Sequence, residues 1–377
     1  MTPIVRLLCD LIETPSVNPE LCPDRPEITG EAGVAEYLIV LAKEAGLVVE
    51  RQPVFPGREN LLVRLLPKGE VQKRIILAPH MDTVPVMSDQ QLKAEIRDGR
   101  VYGRGACDTK GCIATYFHTL LELANHSERS EHTEFIFLGL IDEEVNQSGS
   151  RVFGESDIKA DLAIVGEPTE LEVVTAHKGN FWLNLSVKGK AAHGAAPHLG
   201  ENAVHRMAKI VDVLLTEYVE LLNQRSHPLL GSPTINIGQI HGGTQPNIVP
   251  DNCSISIDRR TIPGETRDSV FSEINVLLDQ HGLAERAIDE IRKVPCHPLE
   301  TSPDHPIIQE LLKTTGCSEG KGVHYFSDAS PISQGGTPTV LYGPGSIAQA
   351  HTADEWIEVE QLEVAGERLK SFLKGQL

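Results

Sequence analysis

The chain has 377 residues, 40% of them apolar, so a prior of roughly 150 residues per domain predicts two or three units with filled cores rather than a disordered chain. Its 53 acidic side chains exceed the 34 basic ones by 19, so a polyanion meets net repulsion and nucleic acid is not an expected partner. Seven cysteines without a C-x-x-C pair argue against a disulfide framework and for reduced thiols in the cytoplasm. Asp10 and Glu13 break the N-terminal stretch where a secretory core would stand, and no segment reaches the roughly 20 apolar residues of a membrane span.

In chain order, a proline-rich surface loop at 15–26 precedes 29–46, whose pattern predicts a helix capped by Thr29 and stopped at Gly46. LLVRLL at 61–66 predicts a strand. RIILA (74–78), FIFLGL (135–140), LAIV (162–165) and TVLY (339–342) predict buried strands, with a helix over 109–125. Between 176 and 290 the rhythm changes. FWLNLSVKG alternates apolar and polar residues, and a helix at 201–223, strands near 234–241 and 253–260, a helix near 264–281 and a strand near 285–293 complete a βαββαβ order. The expected fold is α/β, a mixed, mostly parallel sheet flanked by helices. Residues 1–175 and 291–377 form one domain, and 176–290 are a ferredoxin-like α+β unit inserted into it.

Each buried strand runs into residues able to bind a metal, where open α/β sheets bind their ligands. His80 and Asp82 follow the first; alone they also read as a solvated loop pair, or as an imidazole ligand with the carboxylate that orients it. Asp108, between glycines in GRGACDTKG, reads either as a helix cap or as a ligand able to bridge two ions. Asp142, Glu143 and Glu144 would repel one another at a buried strand end unless a cation offsets them. Our assignment makes Glu144 a ligand and Glu143 the general base. Glu167 in VGEPTE and His351 after the turn GPGS complete two histidines and three carboxylates, a mixed N/O set suited to zinc, or to cobalt and manganese. With one carboxylate shared, five residues make two three-ligand sites, each keeping an open position.

APHMDTVP (78–85), GRGACDTKG (103–111), DEE (142–144), GEPT (166–169), GKAAHGAAPHLGENA (189–203), GGTQPNIVPD (242–251), IDRRTIPGE (257–265) and GPGSIAQAHTADE (343–355) together resemble the dinuclear zinc amidohydrolases. That family includes acetylornithine deacetylase, succinyl-diaminopimelate desuccinylase, aminoacylase and glutamate carboxypeptidase. The resemblance covers nearly the whole chain and implies that 1–175 and 291–377 are a zinc-aminopeptidase-like metal-binding catalytic domain and that 176–290 are a lid or dimerisation domain. It implies that His80, Asp108 and Glu167 hold one divalent ion, and Asp108, Glu144 and His351 the other. Asp82 would orient His80, and Glu143 would deprotonate the attacking water. His193, which alone reads as a loop histidine satisfying local backbone, would reach across a homodimer to the partner's site. Asn247 and Arg260 match positions that contact substrate, and Gly343, Gly345 and Ser346 would lie along it.

Within the family, GEPTELEVVTAHKGN and LYGPGSIAQAHTADEW look most like the acetylornithine deacetylases. HYFSDASPISQGG (324–336) keeps Ser327 and Asp328 of the desuccinylase pattern but departs around them. The expected reaction is metal-dependent hydrolysis of an N-acyl amino acid, N-acetylornithine or a close analogue, in arginine biosynthesis. Desuccinylase and dipeptidase or carboxypeptidase activities are the alternatives, and a noncatalytic carrier of an amino-acid derivative is the reading outside the class.

Overall fold

Leu162–Gly166 and all but the first two residues of Thr133–Gly139 are apolar, and every residue in both strands is buried, as parallel strands covered on two faces require. The computed structural model describes residues 1–125, 129–291, 294 and 296–377, which divide into two units: 1–175 with 301–321 and 327–377, and 176–300 with 322–326. The fold is α/β.

In the first unit the sheet runs Val48–Phe55, Arg58–Leu65, Thr133–Gly139, Lys73–Pro79, Leu162–Gly166, Thr339–Tyr342. Its last four strands are mutually parallel, while the first two join as an antiparallel hairpin. The carboxyl ends of four parallel strands therefore share one edge. Helices Pro3–Ile12, Lys110–Ala124 and Val359–Lys374 pack together and supply a large share of the core, where Phe117 meets Phe137 edge to face at 5.1 Å. One charge sits inside this sheet. Glu134 is fully buried at the amino end of its strand, and its two oxygens accept from Arg64 Nε at 2.6 Å and Arg74 Nε at 2.5 Å.

The helix expected over 29–46 is Ala32–Glu44, and Thr29 does not cap it. Its hydroxyl donates to the Pro26 carbonyl instead, and Glu31, which stands at the cap position, directs its carboxylate to Arg58. Gly46 ends the segment with a φ of +70°, a conformation that costs glycine little.

The second unit contains a four-stranded sheet of Gly179–Lys188, Thr234–Gly242, Asn252–Thr261 and Ala287–Glu290, ordered second, third, first, fourth. With helices Ala203–Val213 and Arg267–Gln280 this is the ferredoxin-like βαββαβ arrangement. Leu183, Leu185 and Val187 alternate inward against Ile210 and Ile274, so the period of two read from the sequence is the period of burial. The first helix continues through a π-helical turn at Leu214–Tyr218 into Val219–Asn223. Of the strand expected over 285–293, Ala287–Glu290 is formed, and positions 292 and 293 lie outside the described residues. Leu299–Glu300 pairs with His177 and Ala176, which draws the chain into this unit beyond the boundary expected at 290. Among the described residues no helix is long and apolar enough to cross a membrane.

Candidate metal centre

His80 directly follows Pro79, Glu167 follows Gly166, Glu143 and Glu144 lie just beyond Gly139, and His351 follows the turn after Tyr342. The sheet therefore delivers these side chains to one edge, and Asp108 joins them from the loop ahead of helix Lys110–Ala124. His80, Asp108 and Glu167 each offer a ligand atom, all within 4.8 Å of one another, and so do Asp108, Glu144 and His351. Asp108 belongs to both groups. Its Oδ1 lies 3.0 Å from His80 Nε2, and its Oδ2 lies 3.3 Å from His351 Nε2, so its two oxygens face two imidazoles that follow different strands. Glu144 Oε2 lies 3.1 Å from the same His351 nitrogen. The helix-cap alternative for Asp108 fails, because Thr109 stands at the cap position and no side chain caps that helix.

Asp82 braces the whole edge. Oδ1 accepts from the Glu143 N–H at 3.1 Å, and Oδ2 accepts from the Glu144 N–H at 3.1 Å and from Asn18 Nδ2 at 2.8 Å. His80 Nδ1 lies 3.0 Å from the Asp82 main-chain carbonyl and 3.5 Å from Oδ1. The imidazole thus meets Asp82 through backbone first, and the carboxylate holds the two glutamates. Sequence reading gives Asn18 no role, since an asparagine in PSVNP carries no local signal of what it faces.

The acidic run separates by direction. Asp142 has a φ of +66°, a left-handed conformation costing a non-glycine residue roughly 1–2 kcal/mol. That twist turns its carboxylate to Ser148 Oγ at 2.5 Å, Asn18 Nδ2 at 3.0 Å and Arg58 Nη2 at 3.5 Å. Two glutamates remain for the cluster. Glu144 Oε1 is buried and, among the described residues, has no hydrogen-bond partner, an acceptor whose desolvation nothing offsets.

Burial and mutual charge shift the titration of these groups strongly. Burial, with Asp108 nearby, pushes Glu144 up to about 7 against the opposing hydrogen bond from His351. Burial likewise holds Glu143 and Glu167 well above the carboxylate range, although the charge of His80 opposes it. For His80 burial works against the charged ring, yet hydrogen bonds to Asp108 and Asp82 outweigh it and raise the pKa well above the usual value. Hydrogen bonds to Asp108 and Glu144 push His351 up to about 10. Asp108, despite burial, is held well below its usual value by the two imidazoles. Divalent cations would offset these buried carboxylates and compete with protons for them and for the two imidazoles. Donor set, separations and the orphaned Glu144 oxygen all fit a pair of such ions.

A further acid, Asp328, has its Oδ1 2.5 Å from Ser150 Oγ and its Oδ2 buried with no hydrogen-bond partner among the described residues; burial pushes it up to about 7. Its charge acts on Glu143 and Glu167. The sequence pattern retains Ser327 and Asp328 but assigns them no role.

The GPGS turn braces the Glu167 segment. Gly343 N–H donates to Thr169 Oγ1 at 3.0 Å, Glu170 N–H to the Gly345 carbonyl at 2.8 Å, and Ser346 Oγ to Glu170 Oε1 at 2.5 Å. A Cβ on Gly343 would stand 2.5 Å from both Cys112 Sγ and the Glu167 carbonyl, so close packing alone requires glycine there. Gly345 has a φ of +93°. Cys107 and Cys112 are buried, and no disulfide joins cysteines among the described residues.

His193, Asn247 and Arg260 lie in the second unit. His193 is exposed, its Nδ1 accepts from the Ala195 N–H at 3.1 Å, and Gly194 N–H donates to the Asn247 carbonyl at 2.7 Å, so the His193 and Asn247 loops run side by side. Arg260 forms a fork with both Asp258 oxygens at 3.0 and 3.1 Å.

Comparison with known proteins matches residues 175–286 to a peptidase dimerisation domain. A protein of Vibrio campbellii named acetylornithine deacetylase is 32% identical over 349 residues, 89% of each chain. Among solved structures, aminopeptidase PepT from Bacillus cereus superposes with a TM-score of 0.79 at 21% identity, covering 99% of this chain and 97% of that one. An M20 family metallo-carboxypeptidase from Sulfolobus solfataricus gives 0.75 at 19% identity, covering 99% of both. The chain therefore belongs to the M20 family of metal-dependent hydrolases, the family of the acetylornithine deacetylases.

Proposed function

We propose that the protein deacylates an N-acyl amino acid, N-acetylornithine or a close analogue, as a step in arginine biosynthesis. His80, Asp108 and Glu167 hold one divalent ion, and Asp108, Glu144 and His351 a second; zinc is the first choice, with cobalt or manganese as alternatives. The observation that carries this reading is the placement of the two Asp108 oxygens, one toward His80 and one toward His351. The full-length relative named acetylornithine deacetylase supports the substrate.

Two divalent ions supply carbonyl polarisation and bring the pKa of a water towards neutrality. The chain's residues do the rest. Glu143, held through its backbone by Asp82, takes a proton from the attacking water and returns it to the leaving nitrogen, which prevents reversal of the attack. Asp82 holds the backbone N–H groups of both Glu143 and Glu144, one on each oxygen, so base and ligand share one anchor. His193 stabilises the oxyanion of the partner subunit's site in a homodimer built on the dimerisation domain. Asn247, with Gly343, Gly345 and Ser346, lines the substrate, and Arg260 exchanges Asp258 for the substrate carboxylate, a bidentate pairing its planar fork suits. Seven cysteines with no disulfide among the described residues fit a cytoplasmic enzyme.

The test is amine release by metal-loaded protein from N-acetylornithine, N-succinyl-diaminopimelate and short dipeptides. The proposal expects the highest kcat/KM with N-acetylornithine. Preference for dipeptides or for the succinyl substrate would replace it with the corresponding sister activity.

A further inference from the structure

Glu355 is an acid that the metal centre does not use directly, yet it is 2% exposed and its oxygens are fully engaged. Oε1 accepts from the Cys107 N–H and from the Asp108 N–H, both at 2.9 Å. Oε2 accepts from the Gly105 N–H at 3.0 Å and from Arg104 Nη1 at 2.7 Å. Four donors from one loop thus converge on one carboxylate, and that loop ends in the residue shared by both ligand groups. Main-chain bonds join the same two segments: Gly103 N–H donates to the Glu355 carbonyl at 3.1 Å, and Trp356–Glu358 pairs antiparallel with Arg100–Tyr102. Gln91 closes the seam, its Nε2 donating to the Ala353 carbonyl at 2.9 Å.

His351 stands four positions before Glu355 and has a φ of +63°. A left-handed histidine persists only where its surroundings fix it. Its neighbour Thr352 is tied to the seam, with its carbonyl 3.3 Å from Gln91 Nε2.

We infer that Glu355 is a positioning residue that clamps the Asp108 loop to the His351 segment, so that the two ligands are delivered as one rigid piece. This rests on the reading of Asp108 and His351 as metal ligands. The consequences for the two ions are unequal. The Asp108, Glu144 and His351 group takes two of its three ligands from the clamped segments, whereas the His80, Asp108 and Glu167 group takes one. Loosening the clamp weakens the first of these more than the second.

Glu355→Gln is the direct perturbation, because either amide orientation sets an NH2 against two donors. Stepwise zinc titration of metal-free protein in competition with a chromophoric chelator reads both affinities without recourse to activity. The wild type binds two ions, and Glu355→Gln leaves one step near the wild-type affinity while the other drops by about 10–100-fold, the usual cost of removing a partner that holds ligands in place. Excess zinc then restores the second ion and turnover. Glu134→Gln is the control, a buried carboxylate paired with Arg64 and Arg74 at the other end of the sheet: it lowers thermal stability and leaves both zinc affinities unchanged. Glu355→Asp keeps the charge, retracts the oxygens by one methylene and shows the same selective loss, which covers a glutamine variant that does not fold. Two unchanged affinities in a folded Glu355 variant would overturn the clamp, as would an equal shift in the Glu134 control. A wild type that binds no zinc would overturn the metal reading itself.

Discussion

Replacing Asp82 by asparagine removes one charge and no volume, and the hydrogen bonds around it set the cost. If the new amide nitrogen takes the place of Oδ1 it faces the Glu143 N–H; if it takes the place of Oδ2 it faces both the Glu144 N–H and Asn18 Nδ2. Asn18 has no easy rotation to offer an acceptor, because its Nδ2 also serves Asp142 and its Oδ1 accepts from the Glu20 N–H. At least one buried donor is orphaned in either orientation, which costs about 1–3 kcal/mol of folding stability. The glutamate backbone also loses the anchor that spaces base and ligand, for which about 10–100-fold in metal affinity is the ordinary cost. The assay pairs denaturant unfolding of the metal-free protein with competitive zinc titration and kcat on one batch of variant. Zinc affinity and kcat both equal to wild type would refute the reasoning, since nothing else among the described residues holds both glutamate N–H groups.

Glu143→Gln should keep both ions and lose about 10²–10⁴ in kcat, read by steady-state turnover beside metal content. Thermal scans of metal-free protein should show the Glu144 contribution to stability present below pH 4.5 and lost as pH rises through its folded pKa of about 7, because the folded state binds the proton more tightly than the unfolded one. Zinc competes for that oxygen, so its apparent affinity should fall as pH drops through the same window. His193→Ala should lower kcat without changing metal content, and mixing it with Glu143→Gln should restore activity if the dimer shares its sites. Gly343→Ala forces a Cβ against Cys112 and the Glu167 carbonyl, and should lower Tm and displace the Glu167 ligand, read by scanning calorimetry and zinc titration.

The strands were legible because a run such as FIFLGL has no polar face to leave in water, so its burial and the placing of His80, Glu144 and Glu167 at strand ends go together. The cap at Thr29 was misread because cap preference is local, whereas the pull of Arg58 on Glu31 arises only once the hairpin has folded. The direction of Asp142 hangs on one positive φ that no residue type announces. Glu355 stood in view within HTADEW, but what it does depends on the 103–108 loop arriving from far away in the chain. Residue types named the chemistry, and long-range hydrogen bonds chose the supports.

The central claim is that Asp108 is shared between two ions. Zinc counted by mass spectrometry in dialysed wild-type protein and in Asp108→Asn, Glu167→Gln and His351→Asn tests it without any substrate. The account expects two ions in the wild type, one in each of the variants that touch a single group, and both lost or greatly weakened in Asp108→Asn. An Asp108→Asn protein that retains two ions, or loses no more than the single-group variants do, would contradict it.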